Sequence, residues 1–98
     1  MLIRLQQNQW FHDIDISLVD TLTTQGNLLL FPSQGEWNGH FFCENSDYAS
    51  RIYQAILSAW ETGAKAIAIR HERGYEYRNG DGDYLYDEPI LEIERYDE

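Results

Sequence analysis

Apolar residues recur at spacings of three and four between Asp47 and Thr62, and this period predicts an amphipathic helix over that range. Asn45 or Ser46 can accept a hydrogen bond from the first free backbone N–H groups, and Gly63 can take the left-handed conformation that ends a helix. The apolar face needs a cover, and we expect a β-sheet to supply it. The apolar face of the helix consists of Ala49, Ile52, Tyr53, Ile56, Leu57 and Trp60.

Before the helix, alternating apolar and polar residues predict strands. Leu2–Leu5 is a short candidate strand, and the segment from Trp10 onward has the period of a strand with one wet, acidic face. We predict that this second strand pairs as a hairpin with the apolar run Leu28–Phe31, which follows a turn at Gln25–Asn27. The alternating positions of the second strand are Ile14, Ile16 and Leu18 against Asp13, Asp15 and Ser17.

Two further segments lie between that hairpin and the helix. Pro32–Gly39 has the composition of a loop, and His40–Cys43 is predicted to form a third strand that leads into the helix cap. After the helix, Lys65–His71 alternates as a strand, with Ile67 and Ile69 on one side.

The C-terminal part of the chain predicts a tyrosine-rich hairpin. Tyr75–Arg78 and Asp83–Tyr86 flank the turn sequence Asn79–Gly82. The expected partners are Tyr75 with Tyr86, Tyr77 with Tyr84, and Arg78 with Asp83, which places four tyrosines on one face.

The same register, extended toward a final strand at Ile90–Tyr96, sets Ile69 opposite Glu92 and Ile67 opposite Glu94. Because those isoleucines should share a face with apolar partners, we predict a one-residue bulge at Asp87–Pro89. Proline cannot donate a hydrogen bond to the paired strand, so the regular pairing is expected to be interrupted at Pro89.

These elements predict an α+β fold in a single domain, residues 1–98. The expected architecture is an antiparallel, curled sheet of five or six strands packed on one helix, in the order β-β-β-α-β-β. An OB-type barrel has the same order.

Charge narrows the classes of partner. Seventeen acidic residues against seven lysines and arginines give a formal net charge of −10, most of it in the last quarter of the chain. Such a field opposes direct binding to nucleic acid or to anionic membranes and favours basic protein partners. The single cysteine, Cys43, allows no internal disulfide, and the apolar start of the chain is too short for a signal or a membrane span, so we expect a cytoplasmic protein.

Candidate chemical sites have simpler structural interpretations. Cys43 with His40 and Glu44 suggests a thiolate site, but positions 40 and 43 fall on opposite faces of a strand, which favours a buried structural thiol. His12 with Asp13 and Asp15, joined by His40 or His71, lacks a diagnostic metal spacing. The Asn79–Asp83 run resembles the start of a calcium loop, but Tyr84 stands where glycine is needed and a hairpin turn explains it better. We expect neither an enzyme nor a metal or other cofactor.

Two surface features remain as candidates for partner binding. The tyrosines supply rigid contact area with polar tips; the alternative interpretation is that the hairpin folds over the helix and these rings cap the core. The acids lie on or beside the same hairpin and suit a basic groove. The proposed binding residues are Tyr75, Tyr77, Tyr84 and Tyr86 together with Glu72, Glu76, Asp81, Asp83, Asp87 and Glu88.

One stretch carries a resemblance to a known group. Ile56–Ile67, an apolar helix ending in Thr-Gly before a strand, resembles the helix-to-strand joint of small bacterial OB-fold proteins related to the B subunits of AB5 toxins. That resemblance implies ring-shaped oligomers and sugar recognition. It covers this joint alone. The chain departs from the group in having one cysteine, which allows no disulfide pair, and we expect no secretion signal.

By size, acidity and lack of catalytic motifs, the chain is similar in type to anti-CRISPR and anti-restriction proteins of phages and to immunity proteins. Our leading hypothesis is therefore a non-enzymatic inhibitor that occupies the basic nucleic-acid site of a partner protein. The alternative is an oligomeric OB-like module that binds a small molecule or glycan. A third interpretation is a subunit of a larger assembly, with Trp10, Phe11 and Trp37 as contacts.

Overall fold

The computed structural model describes residues 1–16, 22–32 and 37–98. Within these ranges the chain forms nine strands and one helix, an α+β architecture. The elements are β1 (Leu2–Gln7), β2 (Trp10–Asp15), β3 (Thr23–Gln25), β4 (Leu28–Leu30), β5 (His40–Phe42), α1 (Ser46–Glu61), β6 (Ala66–Glu72), β7 (Tyr75–Arg78), β8 (Tyr84–Asp87) and β9 (Ile90–Tyr96).

Helix α1 begins and ends where the sequence indicates, within one residue of the predicted bounds. The Asn45 side chain accepts a hydrogen bond from the backbone N–H of Tyr48 at 3.1 Å, and Gly63 follows the helix with a φ of +80°. The predicted apolar face is confirmed at its centre but not at its end. Trp60 is 38% exposed, and Ala59 takes the buried position in that turn.

The largest sheet has four strands in the order β2-β1-β6-β9. β1 runs parallel to β6, whereas the other two pairings are antiparallel. The prediction of a purely antiparallel sheet is therefore wrong. A parallel pair needs a long crossover connection, and the chain from β2 through α1 supplies it, with α1 packed on β6.

A second sheet has the order β3-β4-β5. Residues Ile14 and Ile16 are buried and Asp13 and Asp15 exposed, as the alternation predicts, while Leu18 lies outside the described residues. The predicted hairpin of this segment with Leu28–Phe31 is wrong. β2 pairs with β1, and β4 pairs with β3 and β5. The sequence missed the short polar strand β3, which forms a tight turn with β4 at Gly26 and Asn27.

The core lies where α1 contacts both sheets, through β6 of the first and through β3 and β4 of the second. Every second residue of β1 and β6 points into it, and each fully buried isoleucine or leucine contributes about 1.5–3 kcal/mol relative to an exposed one. The members from these three elements are Ile3, Leu5, Ile67, Ile69, Ala49, Ile52, Ile56 and Ala59.

Strands β6 and β9 form a long antiparallel pair, which β7 and β8 continue as a separate two-stranded ribbon. Ile69 lies opposite Ile93, and Tyr75 lies opposite Asp87. The two residue numbers of each pair add to the same total in both parts, so the register passes Pro89 without a net insertion. The predicted bulge at Asp87–Pro89 is therefore wrong.

The predicted single sheet of five or six strands is replaced by three sheets in the described part of the chain, and these do not close into a barrel. The OB-like arrangement is thus not confirmed. Among the residues that the structure describes, no helix has the length and apolar character that crossing a membrane requires.

Candidate partner-binding ribbon

The turn of the ribbon, residues 75–87, is built around Asn79. Its side-chain oxygen accepts hydrogen bonds from the backbone N–H groups of Asp81 at 2.9 Å and Asp83 at 3.0 Å. The backbone N–H of Asn79 donates to the backbone carbonyl of Asp83 at 3.0 Å, which leaves a loop of three residues, 80–82. Gly82 has a φ of +83°, the left-handed position that closes such a loop.

This turn is one residue shorter than the predicted one, and it changes which residues face each other. Tyr75 pairs with Asp87, and Tyr84 pairs with Arg78. Because cross-strand partners share a face, Tyr75 and Tyr77 lie on one side of the ribbon and Tyr84 and Tyr86 on the other. The prediction of four tyrosines on one face is therefore wrong.

All four tyrosine rings are accessible, with exposed fractions between 39% and 74%. Both strands of the ribbon are exposed along their whole length. The rings therefore do not cap the core. On one face, the rings of Tyr75 and Tyr77 lie 5.6 Å apart; on the other, the guanidinium of Arg78 lies 4.7 Å from the ring centre of Tyr84 and donates to its hydroxyl at 3.1 Å.

The acidic candidates differ in their partners. Glu72 is half-buried and forms an ion pair with Arg70 at 3.2 Å. Within the described residues, the other five, Glu76, Asp81, Asp83, Asp87 and Glu88, form no ion pair, and all are exposed. Acids elsewhere are partly neutralised, as in the pair of Asp13 with Arg4 at 2.9 Å. The ribbon and Glu88 therefore carry five carboxylates against one cation, Arg78, which leaves a net negative charge.

One ribbon carboxylate acts on a neighbouring phenol. A hydrogen bond with Asp87, strengthened by its negative charge, raises the pKa of Tyr75 above its ordinary value. The Tyr75 hydroxyl therefore stays protonated and can donate hydrogen bonds.

The base of the ribbon is attached to the helix entrance through Glu44. Its carboxylate accepts a hydrogen bond from the backbone N–H of Gly74 at 2.8 Å and a longer one from the hydroxyl of Tyr86 at 3.4 Å. The Glu44 backbone N–H donates to Nε2 of His71 at 2.9 Å. Burial, with the nearby charge of Glu44, raises the pKa of Tyr86.

His71 is fully buried and joins two parts of the chain. Because Nε2 accepts a hydrogen bond, the proton of the neutral ring is on Nδ1, which donates to the carbonyl of Ile90 at 2.7 Å. Burial lowers the pKa of His71 and favours this neutral form. The sequence interpretation considered His71 only as a metal ligand and Glu44 only beside Cys43. The alternation of Ile67, Ile69 and His71 already places the ring on the buried face.

The remaining chemical candidates are not brought together. Cys43 is buried with its pKa raised to about 12, chiefly by burial, while His40 is exposed. His12 stacks on Trp10 at 5.6 Å and Asp13 pairs with Arg4, on opposite faces of β2. Within the ranges that the structure describes, no group of three histidine, cysteine or acidic residues is arranged to hold a metal ion.

Of the aromatic residues considered as contacts of an assembly, Phe11 is the most exposed, at 59%. Trp10 is also exposed, whereas Trp37 is half-buried and its indole N–H donates to the carbonyl of His40 at 3.2 Å.

Comparison with protein-family models, with curated proteins and with solved structures finds no match to this chain.

Proposed function

We propose that the chain is a non-enzymatic inhibitor whose ribbon occupies a cationic nucleic-acid-binding surface of a partner protein. The observation that supports this most is a set of five exposed carboxylates on or beside the ribbon that form no ion pair with any described residue: Glu76, Asp81, Asp83, Asp87 and Glu88. In a basic groove these carboxylates take the place of phosphates.

Electrostatics and ring chemistry support the same contact. A concentrated negative field speeds association with a basic surface and makes binding sensitive to salt. The exposed tyrosines add rigid, amphipathic contact area of the kind that carries binding energy at interfaces. Small acidic inhibitors of bacterial defence enzymes, such as anti-CRISPR and anti-restriction proteins, are the class that this proposal fits, with a cytoplasmic site of action.

The alternative, an OB-like oligomer that binds a small molecule or glycan, requires a barrel. The strands of the described residues form three sheets that do not close into one.

The test compares two variants with equal loss of charge. The ribbon variant carries E76Q, D81N, D83N, D87N and E88Q; the control carries D15N, D47N, E61Q, E94Q and E98Q, all at exposed positions of the body. The side chains of Asp81 and Asp83 are not needed for the turn, which uses their backbone N–H groups, so these changes leave it intact.

Fluorescence anisotropy of the labelled chain is measured against purified CRISPR effector complexes, restriction nucleases and other basic nucleic-acid enzymes, at low and moderate salt. We expect binding to at least one of them, weakened by salt, with a loss of about tenfold or more in the ribbon variant and a much smaller loss in the control. Binding to none of them, or equal losses in the two variants, overturns the proposal.

A further inference from the structure

The two faces of the ribbon are equally available to a partner. Tyr75 and Tyr77 project from one face and Tyr84 and Tyr86 from the other, and every residue of the two strands is exposed. An isolated two-stranded hairpin is only marginally stable in water. A partner that covers both faces therefore stabilises the ribbon more than a partner that covers one face. This arrangement suits insertion into a channel rather than contact with a flat surface.

The width of the ribbon restricts the channel. Neighbouring strands lie about 4.8 Å apart, and the major groove of B-DNA, about 12 Å wide, admits a two-stranded ribbon. The ribbon is therefore narrower than the duplex that contains such a groove. It matches a channel of single-strand width better than one shaped for a double helix.

The chemistry of the ribbon indicates the same site. Proteins bind single strands with a positively charged groove and with aromatic side chains on which exposed bases stack, whereas the bases of a duplex are stacked inside it. The ribbon offers both kinds of group in alternation, as in Tyr75, Glu76 and Tyr77. Its carboxylates can replace phosphates, and its exposed phenol rings can replace bases.

We infer that the surface occupied by the ribbon is a channel for single-stranded nucleic acid, lined by cations and aromatic residues on both walls. This inference rests on the proposed function and specifies the class of site. It commits to a protein partner, because the net charge of −10 opposes binding of the ribbon to nucleic acid itself.

The first experiment is a competition assay on whichever enzyme binds the labelled chain in the test above. The probes are a thymidine oligonucleotide of about twenty residues and a duplex of equal length. We expect the single strand to displace the chain at a concentration about tenfold lower than the duplex. Displacement by the duplex at an equal or lower concentration overturns the inference and leaves the proposed function standing, whereas binding to no enzyme overturns both.

The second experiment tests the two faces. The variants are Y75L with Y77L on one face and Y84L on the other, with F11L as a control that changes an exposed ring on the body of the protein. Leucine keeps apolar area but cannot stack as a phenol ring does. We expect both face variants to weaken binding by about fivefold or more and F11L to leave it unchanged. A loss confined to one face overturns the channel in favour of a flat contact.

Discussion

The carboxylate of Glu44 accepts a hydrogen bond from the backbone N–H of Gly74, with 2.8 Å between oxygen and nitrogen. This bond joins the residue before the helix cap to the point where β6 ends and the ribbon begins. A glycine suits this position, because an added Cβ would lie 2.9 Å from the backbone oxygen of Asp87 and would also collide with the hydroxyl end of Tyr86. The Glu44 side chain thus links the base of the ribbon to the segment that enters the helix.

Replacing Glu44 with alanine should loosen the ribbon without unfolding the core. Loss of a charge-assisted hydrogen bond costs about 1–2 kcal/mol, which we expect to appear as faster hydrogen exchange at Asn79 in the ribbon. Exchange at Ile69 in β6 should change little. Glu61→Ala, which removes an exposed carboxylate at the end of the helix, is the control and should affect neither amide. Unchanged exchange at Asn79 in Glu44→Ala would show that the bond does not anchor the ribbon.

Replacing either glycine of the ribbon turn with alanine should change the stability of the ribbon to a different extent. Gly82 has a positive φ and Gly80 does not, while an added Cβ has open space at both positions. Gly82→Ala should therefore destabilise the ribbon by about 1–2 kcal/mol through backbone strain alone, whereas Gly80→Ala should be nearly neutral. Hydrogen exchange and the chemical shifts of Tyr77 and Tyr84 report the difference. Equal effects of the two substitutions would contradict the three-residue loop.

Stability should fall in mild acid because of His71. Burial is the main cause of its lowered pKa; the Ile90 carbonyl and the charge of Glu44 act in the opposite direction, and Arg73 adds to the lowering. The unfolded chain takes up a proton near pH 6.5, whereas the folded protein does so only at lower pH. This contribution is therefore complete above pH 6.5 and is lost as the pH falls toward the folded pKa, by at most about 1.4 kcal/mol per pH unit.

Urea unfolding between pH 8 and pH 5 measures this effect. His71→Gln should be less stable at pH 8 and should lose most of the dependence on pH in this range. The control His40→Gln changes an exposed histidine and should keep the pH dependence of stability. If His71→Gln keeps the full dependence of the original protein, another group causes it.

The thiol of Cys43 should be almost inert in the folded protein. Its pKa rises from 9.0 to about 12, mainly through burial, so the reactive thiolate is about a thousandfold scarcer at a given pH. Iodoacetamide at pH 8 should label the native protein very slowly and the urea-unfolded protein quickly. A matched control places an exposed cysteine on the helix, Ser50→Cys with Cys43→Ser, and this variant should react quickly without urea.

The sequence predicted elements better than it predicted their partners. Residues near one another in the chain decide the helix from Ser46 to Glu61, its cap at Asn45 and the alternation at Ile14 and Ile16, and these predictions are confirmed. Strand pairing depends on distant residues. No local pattern signals that β1 lies beside β6, since alternation fixes the buried face of a strand and not its direction or its neighbour.

The hairpin that carries the candidate site was predicted in the right place, but its register was predicted wrongly. The exposed tyrosines and acids lie on the expected hairpin, but its turn at Asn79 closes one residue tighter than expected, and this difference alone puts the tyrosines on two faces instead of one. The longer predicted turn also sets Ile69 opposite Glu92, and the predicted bulge serves to remove that conflict. With the observed register Ile69 meets Ile93, and no bulge is needed. The hydrogen bonds that Glu44 forms with Gly74 and His71 join segments that are distant in the chain. Composition and residue spacing do not predict contacts of this kind.

The parallel pairing of β1 with β6 constrains how the protein is made. During synthesis β1 and β2 leave the ribosome before β6 and can form their hairpin at once, whereas the partner strand at Ala66–Arg70 emerges only after α1. The central joint of the main sheet therefore closes late, against the entropy of a long loop, and folding should be slow for a chain of this length. Until then β1 exposes an unpaired edge, the state in which newly made copies are most prone to associate.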